Sequence, residues 1–134
     1  MIQTNIMAIQ HRKEDYFEQL IAEAFQAFNR LIGNTSPTAM QELEMRIDEL
    51  LKPSGLTLEN MGKMPVAELE TALQANPQNE QLLELAADTL QQQGNSTQQP
   101  TLAERAQWLY NYLMKHQGGN SISYSLLMKM KKPK

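Results

Sequence analysis

Apolar residues recur along the chain at steps of three and four positions, the spacing of one face of an α-helix. The first stripe predicts a helix from about His11 to Ile32, closed by Gly33 in the left-handed conformation. It brings all three Phe residues to the core and comprises Phe17, Leu20, Ile21, Ala24, Phe25, Phe28, Leu31 and Ile32. Residues 1–10 are expected either to be flexible or to extend this helix through Ile2, Ile6 and Ile9.

Proline and glycine residues delimit the elements in the middle of the chain. Ser36-Pro37 predicts the cap and first turn of a second helix, which ends at Pro53-Ser54-Gly55. The inward stripe of this helix is Met40, Leu43, Ile47, Leu50 and Leu51. Residues 56–62 predict a short helical turn, and Pro65 begins a further helix. We expect that helix to face inward with Val66, Leu69 and Leu73.

Two longer helices are predicted in the second half of the chain. Asn76-Pro77 repeats the cap-and-proline start for a helix that ends near Gly94, with the apolar residues Leu82, Leu83, Ala86, Ala87 and Leu90. Residues 91–100, with the sequence QQQGNSTQQP, then predict a mobile polar loop. Thr101 and Glu104 have the spacing of a capping box, which predicts a helix from Thr101 to Gln117, closed by Gly118-Gly119. A short helix over residues 121–131 brings the expected total from five to six.

The amino-acid composition agrees with this pattern. The chain has eighteen Leu, twelve Ala and fifteen Gln beside a single Val. Unbranched side chains lose little rotamer freedom in a helix, whereas the β-branched residues that favour strands are scarce. We therefore expect an all-α fold, arranged as a compact antiparallel helical-hairpin domain that includes residues 1–134.

Charge is unevenly distributed along the sequence. Residues 1–104 carry six basic and fifteen acidic side chains, a net charge of −9, whereas residues 105–134 carry six basic and none acidic, a net charge of +6. Residues 131–134 form a basic tail. Cysteine is absent, which excludes disulfides and thiolate metal sites. The longest apolar run is four residues, so we expect no membrane insertion and a cytoplasmic location.

Part of the second half resembles a known repeat. Leu83, Ala86-Ala87, Leu90 and Gly94 match the spacing of the first helix of a tetratricopeptide repeat, and Ala106, Tyr110 and Leu113 match the second. Only one such unit is visible, so the resemblance implies a single tetratricopeptide-like hairpin and not an array. The opening Asp15-Tyr16 and the acidic Leu-rich helices that follow are similar to a bacterial family of uncharacterised all-helical proteins.

None of the standard catalytic constellations is present in the sequence. His11 and His116 lack the Glu-x-x-His and His-Glu-x-x-His spacings of helical metal sites. The carboxylates of the second helix and of the helix that starts at Asn76-Pro77, among them Asp88, all fall on the polar, solvated side of their apolar stripes, where a raised pKa is not expected. We therefore predict no enzymatic activity, no cofactor and no metal.

One helix offers more apolar surface than a single core contact needs. Leu102, Ala106, Leu109, Tyr110 and Leu113 form its core stripe, but Trp108 and Tyr112 lie on another face. This second face is covered either by the chain's own C-terminal segment, through Ile122, Tyr124, Leu126, Leu127 and Met130, or by a partner. The candidate interaction surface comprises Arg105, Trp108, Tyr112, Tyr124, Leu127, Lys129, Lys131 and Lys132.

These observations favour a non-catalytic protein-interaction module, an adaptor or scaffold, whose partner the sequence does not name. One alternative is a structural or regulatory homodimer that associates through the C-terminal helices. Another is a small-ligand-binding or nucleic-acid-binding helical domain. Nucleic acid is disfavoured as a partner because the protein is acidic overall, with a net charge of −3, and its lysine-rich tail contains no arginine.

Overall fold

The computed structural model describes the backbone of residues 2–33 and 36–116, and the side chains from Tyr16 onward within those ranges. The described residues form six α-helices, one 3₁₀ turn and no strand, which confirms the all-α prediction. The helices are α1 (Ile2–Gly33), α2 (Pro37–Leu51), α3 (Leu58–Lys63), α4 (Val66–Ala75), α5 (Glu80–Ser96) and α6 (Pro100–His116), with the 3₁₀ turn at Lys52–Ser54. The helix predicted over residues 121–131 and its preceding glycines lie outside the described residues.

Side-chain caps fix the beginnings of three helices. Ser36 Oγ accepts a hydrogen bond from the Ala39 N–H at 3.1 Å, as predicted for α2. Thr57 caps α3 in the same way. The start predicted for α5 at Asn76-Pro77 is wrong. Asn79 is the cap, because its Oδ1 accepts hydrogen bonds from the N–H groups of the second and third helical residues at 2.8 and 3.2 Å.

Helices α1 and α2 pack antiparallel. Arg46 lies 3.3 Å from Glu23, and Arg30 lies 3.7 Å from Glu42, so positions later in α2 pair with positions earlier in α1. The residues that these two helices bury are Ile21, Ala24, Ala27, Leu31, Leu43, Ile47, Leu50 and Leu51. The three Phe residues are half-buried against this core. Ile32 does not join it, because it lies in the last turn of α1 and is 57% exposed.

A tight reversal connects α2 to α3. Gly55 takes a left-handed φ of 78°, a conformation that glycine adopts without strain. Asp48 then accepts a hydrogen bond from the Leu58 N–H at 2.8 Å, which ties the start of α3 back to α2. Gly33, predicted to be left-handed, ends α1 without a positive φ. In this half of the chain, the glycine that adopts the left-handed conformation is therefore Gly55 and not Gly33.

Helix α4 is the most exposed of the shorter helices. Leu69 and Leu73 are buried, as predicted, and they are its two residues in the core. Val66 was also expected to face inward, but it is the first residue of the helix and is 38% exposed. Two buried leucines, together with the half-buried Ala72, therefore attach α4 to the core.

The polar loop predicted over residues 91–100 is wrong in its first part, because α5 continues to Ser96. Gln93 donates a hydrogen bond to Glu44 of α2 at 2.5 Å, so a long-range contact orders the glutamine run. A connection of three residues, 97–99, leads into α6, which begins at Pro100. Thr101 is consequently inside the helix and is not its cap.

Helices α5 and α6 form the most extensive helix pair in the described part of the chain. They are antiparallel, since Gln107 donates to Gln91 at 3.1 Å and Tyr110 donates to Asp88 at 2.5 Å. Gly94 lies against the start of α6, where a Cβ atom would come within 2.8 Å of the Ala103 backbone nitrogen. Helix α5 also contacts α1, α2 and α3, which makes it the central helix.

Candidate interaction surface

The core stripe of α6 is the one that the sequence predicts. Its buried residues are Leu102, Ala106, Leu109, Tyr110 and Leu113. Because these residues recur at steps of three and four, they occupy one side of the helix and leave the residues between them on its flanks.

Three rings follow one another along one flank of α6 and form what we call the aromatic row: Trp108 and Tyr112, which are stacked, and His116, which is tilted by 35° to Tyr112. The ring centroids of Trp108 and Tyr112 are 5.5 Å apart, and those of Tyr112 and His116 are 4.2 Å apart. Steps of four residues place the three side chains above one another on the helix. Trp108 and Tyr112 are half-buried and pack against the core, whereas His116 is exposed.

A shallow cavity of about 390 Å³ runs beside the aromatic row and is called the α4–α6 groove. Its lining residues are Leu73, Gln74, Pro77, Gln78, Glu80, Leu83, Tyr112, Leu113 and His116. Burial raises the pKa of the Tyr112 phenol, and the nearby Glu70 carboxylate raises it further. Helix α4 therefore lies near the second apolar face of α6, and the groove is bounded by α4, by Pro77 and Gln78 of the connection that follows it, and by the facing ends of α5 and α6.

Arg105 was predicted to belong to the interaction surface, but its guanidinium is held within the chain. Its Nη1 donates a hydrogen bond to the Met61 carbonyl oxygen of α3 at 2.6 Å. Partial burial lowers the pKa of the guanidinium. The side chain thus connects α6 to α3, on the same flank as the aromatic row. The other predicted members, Tyr124, Leu127, Lys129, Lys131 and Lys132, lie outside the described residues.

The opposite flank of α6 carries a contact that sequence reasoning missed. Tyr110 is 2% exposed, and its hydroxyl donates to the Asp88 carboxylate. Burial raises the pKa of Tyr110 far above its ordinary value, and the charge and hydrogen bond of Asp88 and the charge of Glu84 add to the shift. Asp88 was expected on a solvated face. No local pattern reveals the pair, because its two members belong to different helices.

A larger cavity, of about 520 Å³, lies at the other end of α6. Residues from α2, α3, α5 and α6 line it: Ser36, Pro37, Met40, Glu44, Glu59, Lys63, Leu90, Gln93, Ser96, Thr97, Gln99 and Leu102. Near it, Gln93 Nε2 approaches both Glu44 and the Met40 sulfur. Sequence reasoning located no pocket, since these walls come from four separate segments.

The described residues also lack two features that would suggest a function, a metal site and a membrane-spanning helix. Within the described ranges, no group of three or more His, Asp or Glu side chains is arranged to hold a metal ion. None of the described helices is both long and apolar enough to cross a membrane. The chain matches no protein-family model, and neither a curated protein nor a solved structure is significantly similar to it.

Proposed function

We propose that this protein is a non-catalytic helical interaction module that binds a protein partner through the aromatic row and the adjoining α4–α6 groove. The observation that carries the proposal is the stack of Trp108, Tyr112 and His116 on a helix whose core stripe is complete without them. Trp108 and Tyr112 also pack against the core, and the part of each ring that stays exposed supplies contact area beyond what α6 uses to join it.

Aromatic residues are suited to this role for a physical reason. Trp and Tyr bury a large area and have few rotatable bonds, so they lose little conformational entropy when a partner covers them. Trp108 and Tyr112 are already stacked on each other and packed against the core. Preorganisation of this kind lowers the ordering cost of association.

We further propose that α5 and α6 are a single tetratricopeptide-like hairpin. Their antiparallel contact, the three-residue connection and the close approach of Gly94 to α6 support this interpretation. In this proposal the hairpin is a rigid support, and α4 takes the place that a neighbouring repeat would occupy in an array.

The test compares proteins captured from an extract of the host cell by three immobilised full-length proteins: the wild type, the double variant Trp108→Ser/Tyr112→Ser, and Tyr16→Ser. Tyr16 is a matched control, because it is an aromatic residue of α1 that is 62% exposed. A specific partner is retained by the wild type and by Tyr16→Ser and is lost with the double variant. Circular dichroism must first show equal helicity in all three.

Two results would count against the proposal. Equal retention of every captured protein by the double variant excludes the aromatic row as the docking site. A purified candidate partner whose affinity is the same for the wild type and the double variant does so as well. If the captured protein is a second copy of this chain, light scattering will give twice the monomer mass, and the homodimer alternative is correct.

Small-ligand binding is the second candidate function, and the cavity of about 520 Å³ favours it, since ligand pockets have volumes of this order. Leu90 and Leu102 supply its apolar lining, and the Glu44–Gln93 pair supplies polar atoms. Thermal-shift screening with the wild type and Gln93→Leu tests this. A compound that raises the melting temperature of the wild type alone supports the role, and the absence of any such compound from a broad panel argues against it.

A further inference from the structure

We propose that the cavity of about 520 Å³ at the start of α6 binds a protonated organic amine, with the ammonium group at Glu44 and an apolar body against Leu90 and Leu102. The inference rests on the second candidate function, small-ligand binding, and adds to it the chemical class of the ligand. It is independent of the aromatic row, which lies on the later turns of α6.

The apolar part of the cavity comes from core leucines and from α2. Leu90 of α5 is 1% exposed and Leu102 of α6 is 9% exposed, so both belong to the core as well as to the cavity wall. Met40 and Pro37 of α2 complete the apolar lining. At Gly62 of α3, a Cβ atom would lie 2.9 Å from Leu102 Cδ2 and 3.1 Å from Leu90 Cδ2, so the glycine lets α3 pack closely against both leucines. A preformed apolar wall of this kind suits the hydrocarbon part of a ligand.

The polar part of the cavity offers mainly hydrogen-bond acceptors. Ser96 Oγ and Thr97 Oγ1 both donate to the Gln93 carbonyl oxygen, at 3.4 and 2.6 Å, so each hydroxyl oxygen is left as an acceptor. The Gln93 side chain directs its Nε2 group toward Glu44 and the Met40 sulfur, which leaves its Oε1 atom as an acceptor. A ligand that pairs with this lining must therefore supply donors, and an ammonium group has donors and no acceptor.

Glu44 supplies the charge that selects a cation. Its Oε2 atom accepts from the neutral amide of Gln93, and within the described part of the chain Glu44 forms no salt bridge. The side chain is half-buried, so water screens its charge less than at an exposed position. An ammonium group beside it would neutralise this charge and form a charge-assisted hydrogen bond, which is stronger than a neutral one.

The lining disfavours an anionic ligand. A carboxylate or phosphate in the cavity would meet acceptor oxygens and the like charge of Glu44. Lys63 does not compensate for this repulsion, because its Nζ atom lies 3.2 Å from Glu59 and is paired with it. The side chains of Lys63 and Glu59 are 66% and 74% exposed, so water also screens the lysine charge.

The first experiment compares ligands of similar shape and different charge by isothermal titration calorimetry of the full-length protein. The probes are phenethylamine, phenethyl alcohol and hydrocinnamate, which are cationic, neutral and anionic at neutral pH and share a phenyl ring. We expect the amine to bind about tenfold more tightly than the alcohol, and hydrocinnamate to bind most weakly. Ethylamine keeps the charge without the ring, and it should bind more weakly than phenethylamine because it leaves the leucine wall uncovered.

The variant Glu44→Gln tests whether the charge preference belongs to this cavity. Glutamine keeps the shape of the side chain and can still accept a hydrogen bond from Gln93, so circular dichroism should show an unchanged fold. The affinity for phenethylamine should fall about tenfold, whereas the affinity for phenethyl alcohol should stay the same. Glu49→Gln is the matched control, because it removes the same charge from an exposed position of α2 outside the cavity lining, and it should change neither affinity.

The outcomes distinguish this inference from the functions proposed above. If phenethyl alcohol or hydrocinnamate binds as tightly as the amine, or if Glu44→Gln keeps the full affinity for the amine, the assignment of an amine to this cavity is wrong. If no probe binds at millimolar concentration, the assignment is also wrong, and the broader thermal-shift panel decides whether ligands of another class bind. The capture experiment with Trp108→Ser/Tyr112→Ser is independent of these results, since it changes the other end of α6.

Discussion

Tyr110 and Tyr112 are separated by one residue on the same helix, yet they occupy very different surroundings. Tyr110 is 2% exposed and donates its hydroxyl proton to Asp88 of α5, on the flank where α1 contributes Phe25 and Phe28. Tyr112 is half-buried beside Trp108, at the edge of a groove that α4 closes only in part. A cavity lies beside each tyrosine, of about 370 Å³ next to Tyr110 and about 390 Å³ next to Tyr112, so the two flanks differ in the burial of the tyrosine itself. We call the side of α6 with the buried Tyr110 the sealed flank and the side with the half-exposed Tyr112 the open flank.

Under the proposed function, the two flanks of α6 contribute to different properties of the protein. Residues on the sealed flank contribute their apolar burial and hydrogen bonds to the folded state. The exposed parts of the residues on the open flank are the area that a partner would bury under the proposed function. Variants at matched positions on the two flanks should therefore affect different quantities: unfolding on one side and association on the other.

Replacement of each tyrosine by alanine should give the largest contrast. Tyr110→Ala removes a buried aromatic ring and its hydrogen bond, and it is expected to lower the free energy of unfolding by about 3–5 kcal/mol. Tyr112→Ala removes a half-buried ring and should cost about 1 kcal/mol. Urea titration followed by circular dichroism measures both values. Equal losses would mean that the two flanks are not distinct.

Gly94→Ala tests the helix pair that supports both flanks. A Cβ atom at this position would lie 2.8 Å from the Ala103 nitrogen and 2.9 Å from the Gln99 oxygen, both of which are backbone atoms. We expect α5 and α6 to separate slightly, with a loss of about 1–3 kcal/mol that exceeds the gain in helix propensity. Gly33→Ala is the control, since no atom lies within 4 Å of its added Cβ. Thermal unfolding of the two variants distinguishes the effects.

Local periodicity explains how much of the fold the sequence predicts. The stripes of α2 and α6 are correct because burial of one helical face repeats every three or four residues within a single segment. The glutamine run was assigned to a loop because its polarity gives no local sign of order. This stretch contacts residues that are far apart in sequence, through the hydrogen bonds of Gln93 to Glu44 and of Gln107 to Gln91 and through the packing of Gly94 against α6.

The same distinction, between features within one helix and contacts between two helices, separates the parts of the surface that the sequence predicts from those that it does not. Trp108 and Tyr112 could be identified from the sequence because one helix carries both, outside its core stripe. The Asp88–Tyr110 hydrogen bond and the attachment of Arg105 to Met61 could not, because each joins two helices whose relative position no single segment specifies. The prediction that Val66 and Ile32 lie in the core is wrong for a related reason. Both are at helix termini, and the periodicity of one helix carries no information about where the neighbouring helix ends.

Removal of one hydroxyl group provides a finer comparison. Tyr110→Phe keeps the buried ring but deletes the hydrogen bond to the Asp88 carboxylate, and the expected loss of stability is about 1.5 kcal/mol. Tyr112→Phe keeps the stack with Trp108 and His116, and its effect should lie within about 0.5 kcal/mol of zero. The two values follow from the midpoints of chemical denaturation, provided that the free energy of unfolding depends on denaturant concentration with the same slope in each variant. A larger loss for Tyr112→Phe would place the more important hydroxyl on the open flank.

Alkaline pH should reveal the Tyr110 environment without changing the ring. Burial first, and then Asp88 and Glu84, hold the pKa of Tyr110 above its ordinary value in the folded state, whereas in the unfolded chain it is about 10. Below pH 10 the phenol is neutral in both states, so it creates no pH dependence. As the pH rises above 10, the unfolded state releases the proton while the folded state retains it, and unfolding becomes more favourable.

The size of this alkaline effect follows from proton linkage. At pH 11, Tyr110 should have reduced the free energy of unfolding by about 1.4 kcal/mol relative to neutral pH, because the pH is then one unit above its unfolded pKa. The difference between wild type and Tyr110→Phe isolates this contribution, since every other ionisable group is the same in both proteins. Denaturation at pH 8, 10 and 11 measures it. Parallel loss of stability in the two proteins would show that the Tyr110 hydroxyl titrates while the protein is folded, and that this flank of α6 is as open to solvent as the other.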